Sequence, residues 1–267
     1  MTRSVMMMAV LGLVLQTAAA FATPFEPVGA PRGGQDRDVE EISNRFNVGL
    51  SIASWARDDI EETAYALGVK YKSKVRPLVT ADYQVTPQIA VGGWYNPVAW
   101  DAEFRWDQAP GPGGGAPPGL VTKFEGTGSM YEVHGTYAFG GGWAAQLAYQ
   151  DMNLDWKLAG ASAGADKASK LVLWGTKSFA FGPEETQPWG VVLGLGVAKG
   201  LSGTYDSRVD RTTGDSLEAK ETTWNALAGV SYAFSPRFSA NASVWLADFS
   251  RDEEKSTRIQ AGVTGRF

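Results

Sequence analysis

The chain ends in a run that alternates and then stops on an aromatic. Ile259, Ala261, Val263, Gly265 and Phe267 form one face, and Arg258, Gln260, Gly262, Thr264 and Arg266 form the other. A period of two belongs to a strand with one face in an apolar medium and one in a polar medium. The same period recurs through Phe46, Val48, Leu50 and Ile52, and through Tyr131, Val133, Gly135, Tyr137 and Phe139. It recurs again from Trp189 to Val197, from Trp224 to Phe234 and from Phe238 to Leu246. Beyond the start of the chain, no segment approaches the ~18 uninterrupted apolar residues of a transmembrane helix. So many half-apolar strands need either a second sheet to pack against or closure into a barrel.

The start of the chain carries a different signal. Arg3, the apolar stretch Val5 to Leu15, and Ala20-Phe21-Ala22 have the order of a secretory signal peptide, with cleavage expected after Ala22. The apolar stretch is shorter than the ~20 residues of a spanning helix. Residues 1–22 are therefore expected to be the signal, 23–43 an irregular periplasmic lead-in, and 44–267 one all-β domain. There is no cysteine, which removes disulfides and thiolate metal sites. A formal charge of −5 gives no basic footprint for nucleic acid. Neither a cofactor nor a metal is expected.

The segment from Tyr65 to Val85 keeps its apolar residues on odd positions and Lys70, Lys72, Lys74 and Arg76 on even ones. It reads as one long strand. Short turns at Thr86-Pro87-Gln88, Gly140-Gly141-Gly142, 182–188 and Ser235-Pro236-Arg237 alternate with longer polar stretches. Those stretches include 110–119, Lys157 to Ser169 and Tyr205 to Ala219, all expected to be loops. Aromatics cluster beside the short turns: Tyr137, Phe139, Trp143, Phe179, Phe181, Trp189, Tyr232, Phe234, Phe238 and Phe267. Short turns on one rim and a belt of aromatics beside them match a transmembrane β-barrel. A soluble sandwich gives no reason for either. Counting strands back from the terminus predicts a ten-stranded antiparallel up-and-down barrel. Twelve would follow from dividing 65–85 or from a strand within the Gly/Pro stretch, and eight from misread loops.

The Tyr-x-Val-Thr-Pro-Gln-Ile-x-Val turn at 83–91, the Tyr-x-Phe-Ser-Pro-Arg-Phe turn at 232–238 and the terminal Phe267 together resemble small Gram-negative outer-membrane barrels, of the broad OmpA/OmpW-like class. The resemblance spans roughly residues 44–267. It implies residence in the outer membrane, contact with its lipid and lipopolysaccharide, and recognition of Phe267 by the barrel assembly machinery. Members of that class include adhesins, narrow pores, tethers and lipid-modifying enzymes, so it leaves function open.

Two constellations are candidate sites. Lys70, Lys72, Lys74 and Arg76 at strand spacing would project on one side, about 7 Å apart. Within the lumen they would line an anion-attracting pore; above the membrane they would grip lipopolysaccharide phosphates. Paired with carboxylates such as Asp82 and Glu132, they would instead close the lumen. The one histidine, His134, should face the lumen beside Glu132, the beginning of an acid–base pair. No His-x-Ser spacing or paired acidic motif accompanies it. The inner side of the strand from Trp189 carries Gly190, Gly194, Gly196 and Gly200, which make room for bulky fillers such as Trp174 and Trp245 or leave a water track. The expected function is a non-enzymatic envelope protein, structural or surface-interacting, with at most a narrow pore. The runner-up is a small anion-preferring channel, and the third reading a lipid-modifying enzyme using His134.

Overall fold

The computed structural model describes residues 45–57, 60–62, 67–106, 121–183, 188–205, 222–247 and 256–267. The expected signal peptide, the lead-in and the stretches at 110–119 and 206–219 lie outside them. The described residues form β-strands joined by turns, with no helix among them.

Twelve segments share one antiparallel sheet: β1 (Phe46–Arg57), β2 (Ile60–Glu62), β3 (Leu67–Ser73), β4 (Arg76–Gln84), β5 (Ile89–Trp106), β6 (Val121–Gly140), β7 (Trp143–Leu158), β8 (Ala161–Phe181), β9 (Trp189–Tyr205), β10 (Thr222–Ala233), β11 (Phe238–Ala247) and β12 (Ser256–Arg266). The sheet closes because β1 pairs with both β4 and β12. Phe267 completes the seam: its N–H donates to the Phe46 carbonyl at 2.7 Å, and the Phe46 N–H donates back at 2.9 Å. Closure leaves no strand edge in the apolar layer, as a sheet crossing lipid requires.

Ten strands make the wall, not twelve. Ala53 faces Arg76 and Ile60 faces Val69, so β1 and β2 continue one register against β3 and β4. Residues 67–84 are therefore one strand of the barrel, as the simplest closing topology predicts, interrupted at Lys74 and Val75. That interruption has a consequence the parity does not reveal. Ser73 faces Trp100 while Val79 faces Tyr95, so one extra residue stands on this strand relative to β5. A one-residue slip moves every side chain to the opposite face. Below the break Leu78 and Thr80 are buried inside; above it Tyr71 packs against the interior cluster. Lys70 and Lys72 face outward beside Glu103 and Asp101.

A second difference concerns the expected loop from Lys157 to Ser169. The strands run through it as a hairpin that turns at Ala159 and Gly160, with φ of 50° and 83°. Positive φ at both central positions suits the twist of a tight hairpin. The stretch reads as a loop because it is polar on both faces. A strand that has left the membrane has no apolar medium to face. Strands of 16–21 residues, β7 and β8 for example, rise about 3.3 Å per residue. Even tilted, they outreach the ~25 Å apolar band of such barrels.

The outer face is apolar through its lower part. Leu50, Ile52, Val133, Leu147, Leu173, Leu195 and Val263 are exposed there, and the aromatics beside the short turns form the rim. They contact one another around it: Tyr137 with Phe139, Phe179 with Phe181, Trp189 with Tyr232, and Phe238 with both Phe234 and Phe267. Lys177 sits over the Trp143 and Phe179 rings, its ammonium donating to the Gly141 carbonyl. Higher on the outer face the residues turn polar, with Glu125 and Thr127 on β6 and Asn153, Asp155 and Lys157 on β7. An apolar band below a polar extension is the surface of a protein that crosses one bilayer and projects from it.

The inner face holds the core. Among the described residues, six tryptophans are buried inside: Trp55, Trp94, Trp100, Trp156, Trp174 and Trp245. Glycines on facing strands make the room they need. A Cβ at Gly196 would lie 2.7 Å from the Trp174 ring, and one at Gly126 would lie 2.8 Å from Trp156. Gly194 and Gly196 of the β9 row thus serve packing, the first of the two uses the sequence suggests.

Candidate functional site

The interior site is assembled across the sheet by register. Asp82 on β4 faces Gly92 on β5, and Gly92 faces His134 on β6. A Cβ at Gly92 would land on the Asp82 carboxylate, so the missing side chain lets Asp82 reach over a whole strand. Its Oδ1 lies 2.8 Å from His134 Nε2. On the other side, Glu132 Oε1 lies 2.9 Å from His134 Nδ1. The predicted His134–Glu132 neighbourhood is thus present inside the lumen, with Asp82 as a third member. A protonated imidazole donates at both nitrogens, which suits a ring held between two carboxylates. Glu132 is further fixed by Gln146 Nε2 at 3.2 Å and Gln150 Nε2 at 2.6 Å. Both imidazole nitrogens are engaged, so neither is free to take a proton from a hydroxyl.

Arg258 stands beside this cluster in an aromatic cage. It faces Trp55 on one neighbouring strand and Trp245 on the other. Its guanidinium carbon lies 4.0 Å from the Trp245 ring centre, 4.7 Å from Trp94 and 5.1 Å from Trp55. Such a cation over desolvated indoles is stabilised by about 2 kcal/mol at the upper end. Trp174 extends the cluster by packing edge-on to Trp245 at 5.3 Å. Above it, Trp55 Nε1 donates to Asn96 at 2.8 Å and Trp100 Nε1 donates to the Trp55 carbonyl at 2.9 Å. Beside the guanidinium lies a small cavity of about 20 Å³, lined by Thr80, Asp82, Glu132, His134, Trp174, Ser243, Trp245 and Arg258 among others. That is room for about one water-sized group.

The four-cation ladder does not line this space as one unit. Lys70, Lys72 and Lys74 belong to the outer face, a correction to the lumenal placement, caused by the register slip. Lys74 Nζ pairs with Asp101 at 2.6 Å. Lys70 faces Glu103, which pairs with Lys123 at 3.0 Å, and Lys72 faces Asp101. Their partners are thus outer carboxylates, while Asp82 and Glu132 are engaged with His134. Arg76 is different: it lies opposite Ala53, which is buried, at an inward position. Asp82, Gly92 and Arg258 are the residues that reading the sequence missed as a group. The parity of each strand puts Asp82 and Arg258 inside. Nothing in the sequence says which strands they meet. Among the described residues, no cluster of histidine, aspartate or glutamate has the arrangement of a metal site.

A closed antiparallel barrel with an apolar outer band, aromatic rim and filled interior defines the class: a transmembrane β-barrel of the outer-membrane type. No protein-family model matches the sequence, and no curated protein is similar to it. Among solved structures, the chain is similar to the translocator domain of autotransporter NalP from Neisseria meningitidis (11% identity, 99% of this chain and 97% of that one, TM-score 0.42). It is also similar to the transport unit of the autotransporter AIDA-I from Escherichia coli (9%, 88% and 93%, 0.43). A third is the COG4313 outer membrane channel from Pseudomonas putida F1 (10%, 88% and 100%, 0.42). Similarities of this size assign no activity.

Proposed function

We propose that this is a non-conducting outer-membrane barrel with a structural or surface-contact role, anchored in lipid and presenting its extended upper wall to lipopolysaccharide. The filled lumen carries this reading: the caged Arg258 and the indoles around it occupy the cross-section that a pore would need. Small barrels commonly fill their interior with side chains in this way. The outer lysines support the lipid contact, since Lys70, Lys72, Lys74 and Lys123 stand above the apolar band, where exposed ammonium groups can exchange their Asp101 and Glu103 partners for lipid phosphates. Phe267, at the seam and in the rim, is where the assembly machinery would engage the chain.

A second reading, a small anion-preferring channel, is supported by the charge of the lumen. Arg76, Lys170, Arg258 and Arg266 hold inward register positions together with His134, against Asp82 and Glu132, among the inward side chains described. Such a lumen favours anions over cations. Recordings from the refolded protein in a planar bilayer separate the two. The expected result is no discrete steps from wild type, with steps appearing in the Trp94→Ala/Trp245→Ala variant as proof of insertion. Resolved, anion-selective steps from wild type would replace the first reading by the second.

A further inference from the structure

Arg258 is 4% exposed, and its Nε and Nη1 have no hydrogen-bond partner. Burying guanidinium donors without acceptors is costly, and stacking on indoles satisfies the ring faces but not the N–H edges. The carboxylates nearest to hand are already engaged: Asp82 with His134, and Glu132 with His134, Gln146 and Gln150. Trp245, which lines the same cavity, also has an unpartnered Nε1, a group that only donates. Two donor-only side chains therefore border one small space, with the hydroxyl-bearing Thr80 and Ser243 beside them.

We infer that this cavity binds a small monovalent anion against Arg258. The size of the space restricts the ligand to a halide or an ion of similar bulk, and the donors around it select an acceptor. Such an ion would satisfy the guanidinium edge without displacing the aromatic cage. This inference stands on the interior geometry alone and holds whether or not the barrel conducts.

The three indoles around Arg258 supply the readout. The folded full-length protein in detergent is titrated with sodium bromide against sodium gluconate at constant ionic strength, following tryptophan emission. Saturable quenching with a millimolar midpoint is expected in wild type. Arg258→Gln should remove the saturable component. If that variant fails to fold, Ser243→Val, which keeps the cage, should weaken the midpoint several-fold. Linear quenching in wild type, or saturation unchanged in a folded variant of either kind, would overturn the site. A protein that gives no channel steps yet quenches saturably leaves the non-conducting reading intact, and the reverse result removes only the anion site.

Discussion

At the residue scale, His134 is a cross-strand tie. It joins β4 to β6 through Asp82 and holds Glu132, a carboxylate only 3% exposed. Truncating one partner of a buried charged set leaves the others uncompensated, at a cost of about 3–5 kcal/mol. His134→Ala should therefore lower unfolding stability by an amount of that order, read from denaturant titration of tryptophan fluorescence in detergent. His134→Gln keeps one donor and should cost distinctly less. A His134→Ala protein as stable as wild type would mean the tie is ornamental. The histidine and its neighbour Glu132 are legible in the sequence, because strand parity places both inside. Parity places Asp82 inside too, but does not give its approach to His134, which depends on Gly92 standing between two strands that the sequence does not align.

At the scale of the element, the strand from 67 to 84 shows how far parity carries. Its existence and length follow from the alternation, yet the face of its upper half follows from one extra residue at Lys74 and Val75. Lys70, Lys72 and Lys74 consequently zip the outer wall against Asp101 and Glu103. Exposed cross-strand pairs of this kind contribute about 0.2–1 kcal/mol each. Replacing all three lysines with Gln should therefore destabilise the barrel by no more than about 3 kcal/mol, a bound summed from those pair values. It should also leave the electrical behaviour in a bilayer unchanged, whatever that behaviour is in wild type. A change in ion selectivity on this substitution would return the ladder to the lumen. The hairpin at Ala159 and Gly160 teaches the complementary point: polarity on both faces signals departure from lipid, not departure from the strand.

At the scale of the whole molecule, closure concentrates at the terminus. Phe267 supplies two backbone hydrogen bonds to Phe46 and sets its ring edge-on to Phe238, 6.3 Å between centres. Backbone bonds of this kind are worth about 0.5–1.5 kcal/mol net. Deleting Phe267 should thus lower stability of the refolded barrel by about 1–3 kcal/mol, the sum of those two bonds. The same deletion should reduce the amount reaching the outer membrane in cells far more than that modest loss explains. Equal losses in both assays would limit Phe267 to the seam. Half-apolar antiparallel strands closed into a barrel with an aromatic rim are legible along the chain, because period, turn chemistry and placement of aromatics are each written one strand at a time. The count of ten, favoured over eight or twelve, is fixed by the pairing. What fills the lumen is settled by contacts between strands. Register between strands sets which side chains meet, and it is register that seats Arg258 among three indoles, carries Asp82 across Gly92 to His134, and turns the lysine ladder outward.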